Sequence, residues 1–404
     1  EYLMKSKQLW LLCICAGRWQ LNGMLQAKKQ GYKLFAVDGD KNAEGLKIAD
    51  KFLVIDIHET KKIINYIKDQ KIGLGGVICL TSDIGQKTAS IIREEFKLFG
   101  MSYKISKRMT NKEIQRGALT NKKGIDIPKW LIIEKYLNSN KIIEDIGLPC
   151  VVKPVDSAGS RGVEIVYEEQ DLEEKIRSAS LFSSNSRVIV EEYIQGVEYT
   201  VETFTHKLAT HLLLITEKSK LNKTLANELF SSELEEKDVI ELTTKIEKIF
   251  KTLEYKYGAG HTEFIKRNSD GVFFLVESAG RGGGFLVADL LVPEASGFNL
   301  NEACVVQAMG DEPNKFLNTR NNKTLLRFIP SQDGVIQGIS GFEAANKINN
   351  VVAGCFVKIG DKTKKAQSDG DRIGYILTKG KTKLSALLLA NKIEEKIKIN
   401  YVKN

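Results

Sequence analysis

The sequence predicts an α/β protein whose N-terminal part is built on a parallel sheet and whose remainder is α+β. Strand-like and helix-like segments alternate through residues 8–100, which is the pattern of βαβ units. Pairs of apolar runs typical of hairpins follow from residue 151, and glycine-bounded strands fill residues 331–404. With 404 residues, 42% of them hydrophobic and 27% charged, the chain has the composition of a globular protein of two or three domains.

The N-terminal segments are assigned in order. LWLLCICAG is a strand, RWQLNGMLQAKKQG a helix, and YKLFAVDGD and FLVIDI two further strands. A helix over residues 60–70, the strand GGVICL and the helix DIGQKTASIIREEF complete this part. The lysines before LWLLCICAG imitate a signal peptide, but the glycine turn and helical pattern that follow favour a buried first strand.

A dinucleotide site after the first strand is not expected. The fingerprint G-x-G-x-x-G would fall on Cys15, Gly17 and Gln20, so two of its three glycines are missing. Asp38 ends the second strand and would suit a ribose-binding acid, although one acid at a strand end is common. We expect the carboxyl edge of this sheet to form one wall of a ligand pocket.

Charge and cysteine usage exclude several classes of partner. The net charge is +9, but lysines alternate with glutamates as in ELTTKIEKIFKTLEYK, so we expect an anionic small ligand and no nucleic acid.

No apolar run approaches the roughly 18–20 residues of a membrane-spanning helix, so no membrane partner is expected. Six cysteines in mostly apolar contexts are typical of free thiols, which predicts a cytoplasmic location.

One predicted hairpin, VVKPVDSAGSRGVEIV, has the features of a phosphate site. Lys153 lies in an apolar run, and the following small residues let backbone N–H groups approach an anion, with Arg161 adding charge. An edge-strand lysine beside an ordinary glycine loop is the alternative.

Two acids farther along the chain predict a cation site. Glu263 in HTEFI and Glu277 in LVESAG lie about one hairpin apart and could face each other across the strand pair. Buried carboxylates are costly unless they are paired or bind a cation, and Mg²⁺ favours carboxylate together with phosphate oxygens. With Arg281 and RGGG behind them, they indicate a Mg²⁺–polyphosphate site; a strand-edge glutamate and a surface arginine are the alternative.

Together these motifs resemble the ATP-grasp enzymes, the fold of the carboxylate–amine ligases, over nearly the whole chain. TNKEIQRGALTNKKGIDIP is similar to the helix of the first phosphate-contacting lysine, and VVKPVDSAGSRGV to the second lysine and its loop. VEEYIQGVEY resembles the linker that meets adenine, and TEF and VESAGR resemble the metal-binding strands. The N-terminal sheet and SDGDRIGYILTKGKT look like the flanking domains of the amino-acid ligases and the glycinamide ribonucleotide synthetase group, which includes carbamoyl-phosphate synthase-like enzymes.

The resemblance implies roles for individual residues. Glu191 to Ile194 would meet adenine largely through their backbone, and Glu198 would bind the ribose hydroxyls. Glu263 and Glu277 would bind metal, and Arg281 and Lys153 would be catalytic. The ATP-binding set would be Lys112, Lys153, Ser157, Gly159, Ser160, Gly162, Glu191, Glu192, Tyr193, Ile194 and Glu198, and the weaker substrate candidates His261, Gly283 and Arg327.

The resemblance also implies a division into three parts. A Rossmann-like pre-ATP-grasp domain would span residues 1–108, a two-lobed ATP-grasp domain residues 109–330, and a small α+β cap residues 331–404. A lid lobe at about residues 145–200 would move over ATP.

One position departs from the family. Its usual metal strand reads E-x-N-x-R, and here Ala279 replaces the asparagine that helps to hold a second Mg²⁺. Either Glu277 bridges both ions with extra water, or the second ion binds more weakly.

The resemblance predicts an ATP-dependent ligase that joins a carboxylate to an amine through an acyl phosphate. The first substrate would be an amino acid or a similar small carboxylate, with ATP and Mg²⁺, or Mn²⁺ in its place, as cofactors. A homodimer is the family expectation. The alternatives are an enzyme that activates bicarbonate, as carboxylases and carbamoyl-phosphate synthases do, and a non-catalytic nucleotide-binding regulator.

Overall fold

The structure is a computed structural model that describes residues 9–134, 139–220, 226–313 and 322–402. The charged residues that precede the first strand lie outside these ranges. Every helix within them is too short or too polar to cross a lipid bilayer. The predicted class is confirmed, since a parallel N-terminal sheet is followed by mixed sheets with packed helices.

The N-terminal part is a four-stranded parallel sheet in the order β3–β2–β1–β4. Its central strands are covered on both faces, which explains their continuous apolar runs. Because β1 lies between β2 and β4, the chain crosses over in opposite directions on its two sides, and a crevice opens at the carboxyl ends. The elements are β1 Trp10–Ile14, α1 Arg18–Lys29, β2 Lys33–Asp38, β3 Lys51–Val54, α2 Thr60–Asp69, β4 Leu74–Ile78 and α3 Gln86–Glu95.

Two short helices and a small lobe come next. Asn111 caps the second helix, since its side chain accepts a hydrogen bond from the N–H of Ile114, and this helix ends at Leu119. The lobe is a four-stranded sheet in the order β5–β8–β6–β7 with two helices. The elements are α4 Tyr103–Thr110, α5 Lys112–Leu119, β5 Trp130–Ile133, α6 Ser139–Asp145, β6 Cys150–Pro154, β7 Glu164–Val166, α7 Leu172–Ser180 and β8 Val188–Glu192.

The large sheet has eight strands in the order β13–β12–β9–β10–β11–β14–β18–β16, and its last two strands are β18, Arg372–Gly380, and β16, Val351–Cys355. Helix α8 packs its apolar side on this sheet, and Leu242, Ile246 and Phe250 share a core cluster with Phe264 and Leu275 of the strands. The elements up to the last third of the chain are β9 Gly196–His206, β10 Ala209–Lys220, β11 Ala226–Ser231, α8 Glu236–Leu253, β12 Gly258–Arg267, β13 Phe273–Ala279, α9 Val292–Ser296, α10 Leu300–Ala308 and β14 Lys323–Pro330.

The C-terminal residues contribute to two sheets. Strands β16 and β18 extend the large sheet, whereas β15, β17 and β19 form a separate three-stranded sheet. The boundary expected at residue 331 therefore falls between strands of one sheet, and the three-part division stays a prediction. The elements are β15 Gly334–Ser340, α11 Phe342–Asn346, β16 Val351–Cys355, β17 Lys362–Thr363, β18 Arg372–Gly380, α12 Lys383–Glu394 and β19 Lys398–Val402.

Candidate active site

A cleft lies between the small lobe and the large sheet, and loops of the N- and C-terminal parts line its ends. Most residues singled out from the sequence line it. These are Lys112, Lys153, Ser157, Gly159, Ser160, Glu191, Glu192, Tyr193, Ile194, Glu198, His261, Glu263, Glu277 and Arg281.

The two candidate metal acids lie directly opposite each other. Glu263 of β12 and Glu277 of β13 are paired in the register of the antiparallel strands, as the sequence suggested. Lys218 Nζ donates to Glu263 at 2.7 Å, and Lys112 Nζ donates to Glu277 at 3.2 Å. Two facing carboxylates repel each other, and the lysines offset this repulsion. A divalent cation would do the same.

These carboxylates fit a Mg²⁺ ion that shares its ligands with phosphate. Across the described ranges, the protein brings together no cluster of three or more acidic, histidine or cysteine side chains able to hold a metal unaided. Mg²⁺ is commonly bound by one or two carboxylates plus substrate phosphates. Ala279, paired with His261 on the neighbouring strand, offers no side-chain oxygen to a second ion.

Charged neighbours determine which groups of this centre are ionised. Burial opposes the charge of Glu263, but Lys218 and His261 outweigh it and lower the pKa of this carboxyl well below its usual range. Burial also opposes the charge of His261, but Glu202 and Glu263 raise the pKa of its imidazole to about 9. The two neighbouring carboxylates therefore favour the imidazolium form of His261.

Lys218 is a central residue that the sequence reasoning missed. Its ammonium contacts both Glu198 and Glu263, and Lys220 Nζ lies 2.6 Å from the other oxygen of Glu198. The two lysines lie two positions apart on β10, so they project to the same face of the sheet. The alternate spacing of the two lysines in EKSK was the available signal that they share one face of a strand. Lysines at that spacing more often lie on a solvent-exposed strand edge.

The side chain of Glu191 holds Lys153 in the cleft. Lys153 Nζ donates to Glu191 at 2.6 Å, and Arg116 Nε donates to the other carboxylate oxygen at 2.7 Å. Burial would raise the pKa of Glu191, but Arg116 and Lys153 outweigh it and lower this pKa to about 2. The sequence assigned Glu191 a backbone role toward adenine and did not foresee this buried charge network.

Helix α5, which begins at Lys112, is hydrogen-bonded both to the segment after β6 of the small lobe and to β13 of the large sheet. The Lys112 N–H donates to the carbonyl of Val155 at 2.8 Å. The side chain of Gln115 bonds both the N–H and the carbonyl of Ser278, and Arg116 donates to the carbonyl of Val276 at 2.6 Å. In the sequence Gln115 and Arg116 look like ordinary polar residues of an amphipathic helix, so their partners could not be predicted.

The loop after β6 has the backbone shape expected of an anion-binding turn. Gly159, Ser160 and Gly162 have φ values of +66°, +59° and +72°. The ammonium of Lys112 donates to the carbonyl of Ser157 at 2.8 Å, so the first lysine also positions this loop. Gly162 lies outside the cleft wall, and a Cβ there would approach the ring of Phe182 to 2.7 Å.

Arg281 joins the large sheet to the N-terminal part. Its guanidinium donates to both oxygens of Asp83, at 2.9 and 2.7 Å, and Asp83 belongs to the loop after β4. Burial opposes the charge of Arg281, but Asp83 outweighs it and raises the pKa of the guanidinium. Asp83 was missed because it is 198 positions from Arg281 in the sequence.

Two of the weaker substrate candidates lie outside the cleft. Arg327 donates from Nε to Glu228 at 2.6 Å and from NH1 to Glu394 at 2.5 Å. It faces away because its neighbour Phe328 lines the cleft, and successive residues of a strand point to opposite faces. Gly283 lies behind the wall, where its N–H donates to Glu202 at 3.2 Å.

The arginine that lines the cleft beside Phe328 is Arg372 of the C-terminal part, whereas the expected substrate candidate was Arg327. Arg372 lines the cleft, lies 3.7 Å from the ring centroid of Phe328 and pairs with Asp369 at 2.5 Å. The sequence placed Arg372 in a family-like motif and gave it no role in the site.

Comparison with known families agrees with this geometry. Residues 146–289 match the ATP-grasp domain. The chain contains an ATP-grasp domain. Residues 327–402 match the L-amino acid ligase C-terminal domain 2.

Curated proteins of known name are similar to about half of this chain. A formate-dependent phosphoribosylglycinamide formyltransferase of Methanocaldococcus jannaschii is 27% identical over 210 residues, which are 51% of this chain and 53% of that protein. The chain thus spans about half the length of this curated relative.

Solved structures share the fold over almost the whole chain. An L-amino acid ligase from Bacillus licheniformis has a TM-score of 0.83 at 20% identity, covering 98% of this chain and 100% of the other. A 2-oxoglutarate carboxylase biotin carboxylase domain dimer from Hydrogenobacter thermophilus, in complex with MgADP, ADP and bicarbonate, has a TM-score of 0.79 at 16% identity. It covers 98% of this chain and 92% of the other.

The predicted ATP-grasp fold is confirmed, and residues 146–289 match the domain itself. Ligase activity with ATP and Mg²⁺ is a proposal for this chain. The individual site residues remain predictions, now supported by their assembly in one cleft.

Proposed function

We propose that this ATP-grasp protein is an ATP-dependent carboxylate–amine ligase that acts on amino acids. The observation that carries the proposal is the facing pair Glu263 and Glu277, flanked by Lys112 and Lys218, in one cleft with Lys153. The match of residues 327–402 to the L-amino acid ligase C-terminal domain 2 supports amino acids as substrates.

The proposed reaction has two steps. A carboxylate oxygen of the first substrate attacks the γ-phosphorus of ATP, and the bond to the ADP oxygen breaks, which yields an acyl phosphate and ADP. The amine of the second substrate then attacks the acyl carbon, phosphate leaves, and the amide forms after loss of a proton. Both steps depend mainly on positioning and on neutralising charge.

The charges of the cleft suit this chemistry. Each lysine of the centre contacts a carboxylate, so the protein side is close to neutral. MgATP carries both positive and negative charge. The carboxylates Glu263 and Glu277 would hold Mg²⁺ together with phosphate oxygens, and Lys112 and Lys153 would contact the phosphates. Mn²⁺ prefers the same oxygen ligands.

The small lobe supplies a cover for the reacting atoms. An acyl phosphate hydrolyses readily, so water has to be kept from the site. The loop over residues 157–162 belongs to the lobe that carries Lys153, and we propose that this lobe, at about residues 145–200, closes over ATP.

Phosphate release from MgATP across amino acids, pairs of amino acids and bicarbonate tests the proposal. We expect release that requires one carboxylate substrate and rises with one amine, together with an amide product detected by mass spectrometry. Release that depends on bicarbonate alone would support the carboxylase-type alternative instead. ATP binding with no release under any condition would indicate a regulator and make Ala279 the next residue to test.

Replacing Lys153 by methionine should lower phosphate release by about 100-fold, because one preorganised phosphate contact is lost. Initial rates at several ATP concentrations measure the change in kcat/KM. Lys62→Met is the matched control, since that side chain is 68% exposed on α2, outside the cleft. Equal rates for both variants would contradict the assignment of Lys153.

The remaining expectations accompany this function as proposals. Small-molecule carboxylates and amines are the proposed partners, and the protein would work as a homodimer in the cytoplasm. Light scattering of the purified chain tests the dimer.

A further inference from the structure

A second chamber opens at the carboxyl ends of the N-terminal strands. It shares Trp19, Thr81, Ser82 and Ile84 with the cleft, so the two spaces meet at one loop. Between Ser82 and Ile84 in that loop lies Asp83, the partner of Arg281. A molecule bound beside Arg281 can therefore extend into the chamber.

The position of the chamber is that of a ligand site in an open parallel sheet. Its walls come from residues just after β1, β2, β3 and β4, on both sides of the point where the strand order reverses. Ligands of such sheets bind in this crevice. The dinucleotide fingerprint is absent from the first turn, so another class of ligand is needed.

Apolar side chains form one side of the chamber. The ring of Trp19 is fixed by Phe285 and Phe356, at centroid distances of 4.7 and 5.2 Å. Ile57 and Ile84 also line the space, and Ile84 remains 54% exposed. This wall suits a chain of methylene groups.

Two carboxylates, Asp38 and Asp56, form the other side. Asp38 accepts hydrogen bonds from the N–H groups of Ala16 at 2.6 Å and Asp40 at 2.8 Å, and Asp56 accepts one from the N–H of His58 at 2.9 Å. The described lining contains no lysine or arginine. Backbone amides thus hold both acids in place, and the described lining brings them no lysine or arginine; its one imidazole is that of His58.

The arginines at this end of the cleft are already paired. Arg281 is bound by Asp83 and Arg372 by Asp369. A phosphate group would meet two carboxylates in the chamber and two neutralised guanidinium groups beside it. An ammonium or guanidinium group would instead be attracted by the two negatively charged carboxylates of the chamber.

We propose that the chamber is the side-chain subsite for an amino-acid substrate with a cationic side chain, such as lysine, and that it rejects phosphomonoesters. The methylene stem would lie on Trp19 and Ile84, and the cationic end would reach Asp38 and Asp56. The inference rests on the proposed function, since it places the reacting end of the substrate beside Arg281.

Calorimetric titration of the full chain with lysine and with O-phosphoserine, both in the presence of MgADP, tests the subsite without turnover. We expect lysine to bind at least tenfold more tightly than phosphoserine. Asp56→Lys should weaken lysine binding about tenfold or more by placing a like charge in the chamber. Glu59→Lys is the control, because it makes the same charge change at an exposed position that does not line the chamber.

A second variant tests the space itself. Ile84→Trp would fill the junction of chamber and cleft, and we expect it to weaken lysine binding at least tenfold while glycine binding changes less than threefold. Undetectable lysine binding, equal binding of phosphoserine, or an Asp56→Lys variant that behaves like wild type overturns the proposal.

The two proposals fail separately. Lysine binding that responds to Asp56→Lys, with no phosphate release from any substrate pair, would overturn the ligase and keep the subsite. Ligase activity with unchanged side-chain preference in both variants would overturn the subsite alone.

Discussion

Replacing Arg281 by alanine should lower substrate-dependent phosphate release by about 10³-fold, the effect of removing a cation that stabilises a transferred phosphoryl group. The expected loss is large for a second reason. The side chain of Asp83 is only 12% exposed and bonds the guanidinium through both oxygens, so the variant leaves a carboxylate unpaired where negative charge develops. Single-turnover phosphate release at saturating MgATP measures the loss directly.

The same strand pair offers a matched control for Arg281. Arg267 is the last residue of β12 and also donates to both oxygens of an aspartate, Asp270, but it lies outside the cleft, beside the turn that joins β12 to β13. Arg267→Ala should retain activity within about threefold. An Arg281→Ala variant that binds ATP normally and turns over within tenfold of wild type would contradict the assigned role.

Replacing Glu191 by glutamine should lower the free energy of unfolding by roughly 3–5 kcal/mol at pH 7, because it leaves the buried charges of Arg116 and Lys153 without a counter-ion. The side chains of Glu191 and Arg116 are each only 1% exposed, so water cannot replace the lost partner. The midpoint and slope of urea unfolding measure the change. Glu192→Gln, one residue along the chain and less buried, should change stability by under about 1 kcal/mol.

The loss should depend on pH in a defined direction. The pKa of Glu191 is lowered from its ordinary 4.5 to about 2, so the ionised form stabilises the folded state. This stabilisation is complete above the unfolded pKa and disappears as the pH falls through the folded one. The difference between wild type and Glu191→Gln should therefore be full at pH 7 and shrink between pH 4.5 and 2. A difference that grows toward low pH would contradict the buried network.

Local sequence patterns were sufficient for much of the fold and for the residue types of the site. The alternation of apolar runs predicted the parallel sheet, since a strand buried on both faces reads as a continuous apolar segment. The spacing of Glu263 and Glu277 about one hairpin apart predicted their pairing, because a hairpin fixes the register of its own strands. Lys153 with its small-residue loop was found in the same way.

Long-range partners could not be predicted from those patterns. Asp83 meets Arg281 across 198 positions, and Glu191 meets Arg116 across 75. Arg327 and Arg372 look alike in sequence, and the pairing of β14 with β18, with its register shift between Ile329 and Pro330, places only Arg372 in the cleft wall. Side-chain type and period are local properties, whereas the partner of a charge depends on which strands become neighbours.

The sequence by itself therefore predicted an ATP-grasp domain by resemblance, the alternation of strands and helices, and the chemical types gathered at the site. Only the tertiary structure decided how those charges are balanced: Lys218 between Glu198 and Glu263, Glu191 beneath Lys153, and a chamber with two acids and no lysine or arginine in its described lining. The physical reason is that a buried charge is stable only beside its partner. Packing of distant segments brings the partners together, and no local pattern records it.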